Sequence, residues 1–539
     1  CVCALLVLRG FAQAEALQVQ DTTMMPDTIE HTKVEEHSKD SSGVRPTEFV
    51  RSTKIRFDEL HLLDLGTQPI SIGEKEYRRP SLGQRWETEF LPLPRKANGA
   101  IAASFGNYTT PTFSGWWGGS APESEVLGRA FYSSSKGDKQ YRDYQKGHAS
   151  LAAAWVLPES SGVFSSGTLR SEVALSGSHY RLFGSLTPSQ ARTLTQFRAE
   201  ASLEARGARE STRRAFLRLS RTRMDDHSRA EETTLTTELG VGAYAGEFFV
   251  TGTLKVLKDF TEMPGVQKEN PLYTVLETDV RYRVDEQVEI SAGGELYYLR
   301  YSGSEHVWRA VPRARIAYRA ARSIRLFAEY QPSVVRNSVS EFAEDNPYVH
   351  NSIVVRQTDM GTDVRIGCSV DAENVLKVQA LLGYQRVHSY PVYVPSPERL
   401  WQVAYTGTSP ILWFQSDVYV EAGTAVIGAS FHVKKTEREA GSNKDIPYLP
   451  RVSFTATIEQ RIARTFRVSS DVRYTGGRFA DLDNTRRLPA AFHWDIAAEF
   501  GEDFLVGAGV TNLLGTRDGA WEWYEGEPRR VYLSLGYVW

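Results

Sequence analysis

The chain has 539 residues, with 63 Lys and Arg against 66 Asp and Glu and a net charge of -3. That balance supplies neither a basic field for nucleic acid nor an acidic tail, so nucleic acid is excluded as a partner. No run of about 18 apolar residues occurs, which excludes a helical membrane span. A mean hydropathy of -0.37 leaves room for a β-barrel, whose alternating strands average to a polar composition.

Cys1-Val-Cys-Ala-Leu-Leu-Val-Leu8, followed by Ala12-Gln13-Ala14, reads as a signal-peptide remnant over residues 1–14 with an A-x-A cleavage site. Cleavage before Glu15 removes Cys1 and Cys3, leaving Cys368 with no partner for a disulfide. Residues 15–98 form a polar periplasmic N-terminal segment. As far as Arg51 it is rich in Asp, Glu, Ser and Thr and poor in aromatics, too polar to offset the entropy of ordering, and is expected to be mostly disordered. Up to Pro94 the pattern is irregular and punctuated by proline.

From Gly99 to Trp539 the chain becomes a succession of roughly ten-residue segments that alternate apolar and polar side chains, the signature of an outer-membrane barrel. Between Leu276 and Val284, Leu276, Val280 and Tyr282 share one face while Glu277, Asp279, Arg281 and Arg283 share the other. After the Asp285-Glu286 turn the alternation restarts, with Val288, Ile290, Ala292 and Leu296 against Glu289 and Glu295. The same logic places Arg313, Arg315, Arg325, Glu329, Asp363 and Arg365 on the polar row, and later Arg467, Asp471 and Arg473. These charged residues are the candidate lumen lining. Taken singly, each also fits a cross-strand ion pair that stabilises the wall. Cys368 falls on the apolar row with Val364, Ile366 and Val370, as a small lipid-facing residue.

Short connections at Gly207–Arg213, Ala245–Glu247, Asp285–Glu286, Ala320–Ser323, Arg461–Arg464 and Gly501–Asp503 mark the periplasmic rim. Long polar loops at Lys136–Lys146, Pro332–Met360, Lys434–Leu449, Gly476–Arg487 and Leu514–Glu527 face outward. The segments number about 23, an odd count that cannot return both ends to one side. The surplus lies between His388 and Gly423, where four prolines blur the pattern, and its removal predicts a single antiparallel all-β transmembrane barrel of about 22 strands. At the end of the chain Val531, Leu533, Leu535, Tyr537 and Trp539 alternate up to a terminal aromatic residue, the expected barrel-assembly signal for the assembly machinery and a girdle residue against outer-membrane lipid.

The C-terminal part resembles the barrels of TonB-dependent receptors. It carries, in order, Arg473-Tyr-Thr-Gly-Gly-Arg-Phe-Ala-Asp481, Leu488-Pro-Ala-Ala-Phe-His-Trp-Asp495, Gly507-Ala-Gly-Val-Thr-Asn-Leu-Leu514, and a final strand preceded by Glu527-Pro-Arg529 where the family has Pro-Gly-Arg. Ser104-Phe-Gly-Asn-Tyr-Thr-Thr-Pro111 is similar to a motif of plugless relatives, and residues 119–450 match in periodicity alone. The resemblance implies an outer-membrane location and transport. The polar residues before Gly99 do not supply the folded plug of a full receptor, so a plugless barrel is expected. Asp21-Thr-Thr-Met-Met25 is faintly similar to a TonB box, and a five-residue match does not carry TonB coupling.

Transport of a polar solute is the function that a charged, water-lined interior supports best. The alternative is a barrel that serves as receptor subunit or scaffold for a periplasmic or surface partner protein, which the aromatic loop Trp521-Glu-Trp-Tyr524 suggests, although the same residues suit lipid-headgroup anchoring. No G-x-S-x-G, H-E-x-x-H or Cys/His metal spacing occurs, so neither an enzyme nor a cofactor or metal is expected.

Overall fold

The computed structural model describes residues 99–539 apart from short breaks at 122, 159–161, 166, 208–210, 266–269, 301–305, 373–374 and 518. The signal-peptide remnant, the polar segment 15–98 and the Asp21–Met25 stretch lie outside the described residues. Antiparallel strands follow one another around a ring, which closes where the first strand, Gly99–Gly106, pairs with the last, Arg530–Val538, in a register that sets Ala100 opposite Val538. The sheet contains 23 segments, but Ile324–Tyr330 and Ser333–Val335 both pair with Thr358–Ala372 and are one interrupted strand, so the wall has 22. The interruption falls at Pro332, which has no N–H to give to the ladder.

The surplus segment of the sequence reading is also explained. Pro391–Pro395 and Trp401–Tyr405 pair with each other as a separate hairpin, not with the wall. The wall passes from Leu376–His388 directly to Thr408–Ala422.

An even strand count returns both ends of the wall to the same rim. That rim carries the short connections: Gly246 and Gly423 turn there with φ of 66° and 62°, and the Asp285 side chain accepts N–H bonds from Gln287 and Val288 at 2.7 Å each. By the asymmetry of outer-membrane barrels it is the periplasmic rim. The long loops named from the sequence all leave the opposite rim. The outward rows are apolar and exposed, as in Leu276, Val280, Ile290, Leu296, Ile316 and Ile366. No helix among the described residues is long and apolar enough to cross a membrane. A closed barrel with an apolar outer belt is an outer-membrane architecture, since only closure satisfies every backbone group in lipid.

Candidate functional site

The inner wall is charged, and its charges meet across strands and, for Arg365 and Asp363, along one strand. Arg313 donates to Glu277 at 2.6 Å and also pairs with Glu295. Arg315 lies 3.0 Å from Glu329. Arg365 donates to Asp363 at 2.9 Å, and Gln385 donates to the same carboxylate at 3.1 Å. On the later strands Arg467 pairs with Glu499, Arg473 with Asp495 at 3.0 Å, and Asp471 accepts from Thr457 at 2.5 Å. Glu289 is approached by Arg281, Arg283 and Arg325 at 3.6–3.9 Å. Every candidate lumen residue thus stands on the inner row and faces an opposite charge or a hydrogen-bond partner. Each alternates with an outward apolar neighbour, as period-2 geometry requires.

Behind the charges lies an apolar panel. Phe327, Leu381 and Trp413 are buried on the inner row, with the Arg315 guanidinium 5.7 Å from the Phe327 ring and that of Arg365 6.0 Å from Trp413. Both rings press against a glycine of the neighbouring strand. A Cβ on Gly367 would stand 2.4 Å from Phe327, and one on Gly383 would stand 2.3 Å from Trp413.

At the outer rim the long loops fold together into a cap with its own core. Val339, Phe342, Val349, Tyr393, Trp401, Tyr448, Trp521 and Tyr524 are buried in one cluster with Leu194 and Met224 of the wall. Trp401 packs 5.4 Å from the ring centres of both Trp521 and Tyr524, donates from its indole to Tyr448 at 3.0 Å, and is fully buried. Tyr348 stacks on Tyr524 at 3.6 Å, and burial pushes the Tyr348 phenol far above its ordinary value. The cap crosses the mouth: Leu186, after the fifth strand, donates its N–H to Glu398 of the hairpin after the fifteenth, ten strands away on a ring of 22.

Buried charges fasten the cap to the wall. Arg336 donates to Asp259 at 2.6 and 2.8 Å, to Glu232 at 3.2 Å and to Thr234 at 2.8 Å, while Glu232 also accepts the N–H of Val339. Just beyond, Ser338 caps the short helix Val339–Asp345 by accepting from Glu341. Arg192 and Asp226, both fully buried, pair at 2.7 Å, and Arg192 also donates to the carbonyls of Pro347 and Val349. Burial alone would raise the Asp226 carboxyl, but Arg192 and the Ser228 N–H hold it below its ordinary value.

The motifs that carried the family resemblance act here as loop anchors. Asp495 accepts from Arg473 and from the N–H of Asn512, and Asn512 donates to the carbonyls of Thr516 and Glu527 at 2.7 and 2.8 Å. Arg478 donates to the carbonyls of Gly519 and Ala520, and Asp481 accepts the N–H groups of Thr485 and Arg486. Together they hold the last two long loops in the cap.

One expectation is corrected. Trp521 and Tyr524 present no aromatic surface to a partner or to headgroups, because they are buried at 6% and 3% exposure in the cap core. Arg192, Glu232, Asp259 and Arg336 were not singled out from sequence. Their oppositely charged partners lie 34 to 104 residues away, and only the closed ring with its folded loops brings them together. The C-terminal residues Val531, Leu533, Leu535, Tyr537 and Trp539 stand on the outer row, exposed. Among the described residues no group of His, Cys, Asp and Glu is placed to hold a metal ion.

No family model matches the sequence, and no curated relative matches it. Solved structures do. The siderophore receptor PiuA from Acinetobacter baumannii aligns with a TM-score of 0.62 at 11% identity, over 82% of this chain and 81% of that one. The FrpB iron transporter from Neisseria meningitidis (F3-3 variant) aligns at 0.64 and 9%, over 83% and 82%. The ferric-catecholate import receptor Fiu from E. coli K12, in its closed form, aligns at 0.60 and 12%, over 83% and 82%. Identities this low speak for fold alone, and that fold, a closed barrel of 22 strands under folded outer loops, is TonB-dependent receptor-like.

Proposed function

We propose that the chain passes a polar solute across the outer membrane through its lumen, with the loop cap as the extracellular gate. The carrying observation is the cap itself. Loops from opposite sides of the mouth share one aromatic core above a wall of paired Arg, Glu and Asp. A scaffold has no need of a charged interior of this width, whereas a conduit needs water-compatible walls and a means of closure. The names of the similar structures, a siderophore receptor, an iron transporter and a ferric-catecholate import receptor, support import as the class of activity. In this reading residues 1–14 direct export, residues 15–98 belong to the periplasmic side, and Val531–Trp539 supplies the assembly signal.

The test is conductance in planar bilayers of three forms: the mature chain from Glu15, a chain starting at Arg95, and a mature chain whose cap loop between Arg336 and Arg356 is replaced by a short Gly-Ser link. Conductance confined to the loop-replaced form supports a gated conduit, and conductance from Arg95 onward assigns part of the closure to the N-terminal segment. Silence in all three, with the barrel folded, refutes passage.

A further inference from the structure

One seam of the wall is laced over its periplasmic half alone. The strand His306–Ala321 pairs with Val288–Arg300 from His306 to Tyr318, but on its other side it pairs with Ile324–Tyr330 only from Ala314 to Ala321. The same register carried two residues further sets Pro312 opposite Pro332, a rung at which neither residue has an N–H to give. Beyond it the chain leaves the seam. Ser333–Val335 pairs with Thr358–Met360, and among the described residues no strand pairs with His306–Arg313 on this side. Side chains span the gap instead: the N–H of Val334 donates to the Tyr297 hydroxyl at 3.3 Å, and Arg309 pairs with Asp359 of the strand beyond.

This open edge lies at the level of lipid. Tyr298 and Trp308, opposite each other on the outer row with ring centres 4.7 Å apart, mark the aromatic girdle of the outer interface, and Trp308 is 65% exposed. Ala310 and Pro312, the next outward residues toward the membrane centre, stand in the hydrocarbon layer, where an unlaced backbone edge is costly. Directly inside the seam the charged lining gives way to an apolar patch: Tyr273, Tyr297, Leu299 and Val311 are buried together, with Val334 packed against them. A wall that only separates lumen from lipid has no use for an unlaced seam backed by an apolar inner face. We propose that the seam is a lateral portal through which an amphiphile, an acyl chain with a polar head group, passes between the lumen and the outer leaflet. The chain lies along Leu299 and Val311, and the head meets the charged row that begins with Arg313, paired with Glu277 and Glu295. Ser333–Val335, which leads directly into Arg336 of the cap, is the piece that moves aside. Naming the amphiphile as the transported solute rests on the transport reading; the open seam does not.

The experiment uses the mature chain from Glu15 in proteoliposomes. Alternate amides of residues 307–311 should exchange hydrogen about tenfold faster than amides of residues 290–298 on the neighbouring strand, which is laced on both sides. A diazirine-bearing dodecanoate, photoactivated and mapped by mass spectrometry, should label the inner-row Leu299 and Val311 as well as the lipid-facing Leu276 and Leu296. The seam is then tethered by Arg309→Cys with Asp359→Cys, in a Cys368→Ala background, joined by a short bismaleimide. Tethering should cut inner-row labelling about fivefold relative to the same variant left unjoined, and should leave belt labelling unchanged. Exchange at 307–311 as slow as at 290–298, no inner-row labelling, or inner-row labelling that tethering does not reduce overturns the portal. Because neither readout needs passage, silence in bilayers with intact, tether-sensitive labelling counts against transport alone, and conductance without inner-row labelling counts against the portal alone.

Discussion

Arg336→Ala should loosen the cap without unfolding the barrel. The guanidinium holds two carboxylates, Asp259 at 2.6 Å and Glu232 at 3.2 Å, and both are only 4% exposed. Removing it leaves two like charges buried against each other with no cation between them. Breaking a buried pair by deleting one partner costs about 3–5 kcal/mol, which at 1.4 kcal/mol per decade shifts the balance between fastened and released loop by roughly 10²- to 10⁴-fold. The wall is spared, because the ladder of Arg229–Ala245 with Phe248–Glu262 runs through backbone hydrogen bonds that the substitution does not touch. Hydrogen exchange across residues 337–357 reads the effect directly, as released loop amides exchange faster while those of the strands do not. The triple variant Arg336→Met, Glu232→Gln, Asp259→Asn should recover most of the protection, since it removes the charges together. Unchanged exchange in Arg336→Ala would refute the assignment of this triad as the fastening of the cap.

Three further outcomes are expected. Deleting Trp539 removes the indole that lies over Gly99 at the seam, where Gly99 and Trp539 also exchange backbone hydrogen bonds at 3.2 and 3.0 Å; heat-modifiable barrel in outer-membrane fractions should fall while export continues. Gly383→Val places a side chain where Trp413 lies, 2.3 Å from the new Cβ, and should lower stability by about 1–3 kcal/mol, measured as a lower urea midpoint, whereas Ala380→Val on the outer row should not. The Lys139 ammonium beside Glu525 holds that carboxyl below its usual range. Its contribution to loop docking is therefore complete above the ordinary carboxylate pKa of about 4.3 and is lost as pH falls through the lower folded value. Infrared or NMR titration of the carboxyl should find that midpoint, and Lys139→Gln or high salt should move it upward, modestly, because both side chains are about half exposed.

The sequence by itself determined the container. Period-2 alternation in segments such as Leu276–Val284 settles which side chain points to lipid and which inward, because successive Cβ atoms on a strand must take opposite faces. Short Gly- and Asp-marked turns against long polar loops settle which rim is which, and the parity of a closed ring locates the surplus segment between His388 and Gly423. Tertiary structure decided what fills and closes that container. Trp401, Trp521 and Tyr524 are hydrophobic in a loop by any local measure, and only the meeting of several loops shows that they form a core instead of a docking surface. The fastening of Arg336 by Glu232 and Asp259 depends on register between strands and on contacts between residues 77 and 104 positions apart. Alternation along one strand is a local property of the chain; which charge meets which is set only when the ring has closed.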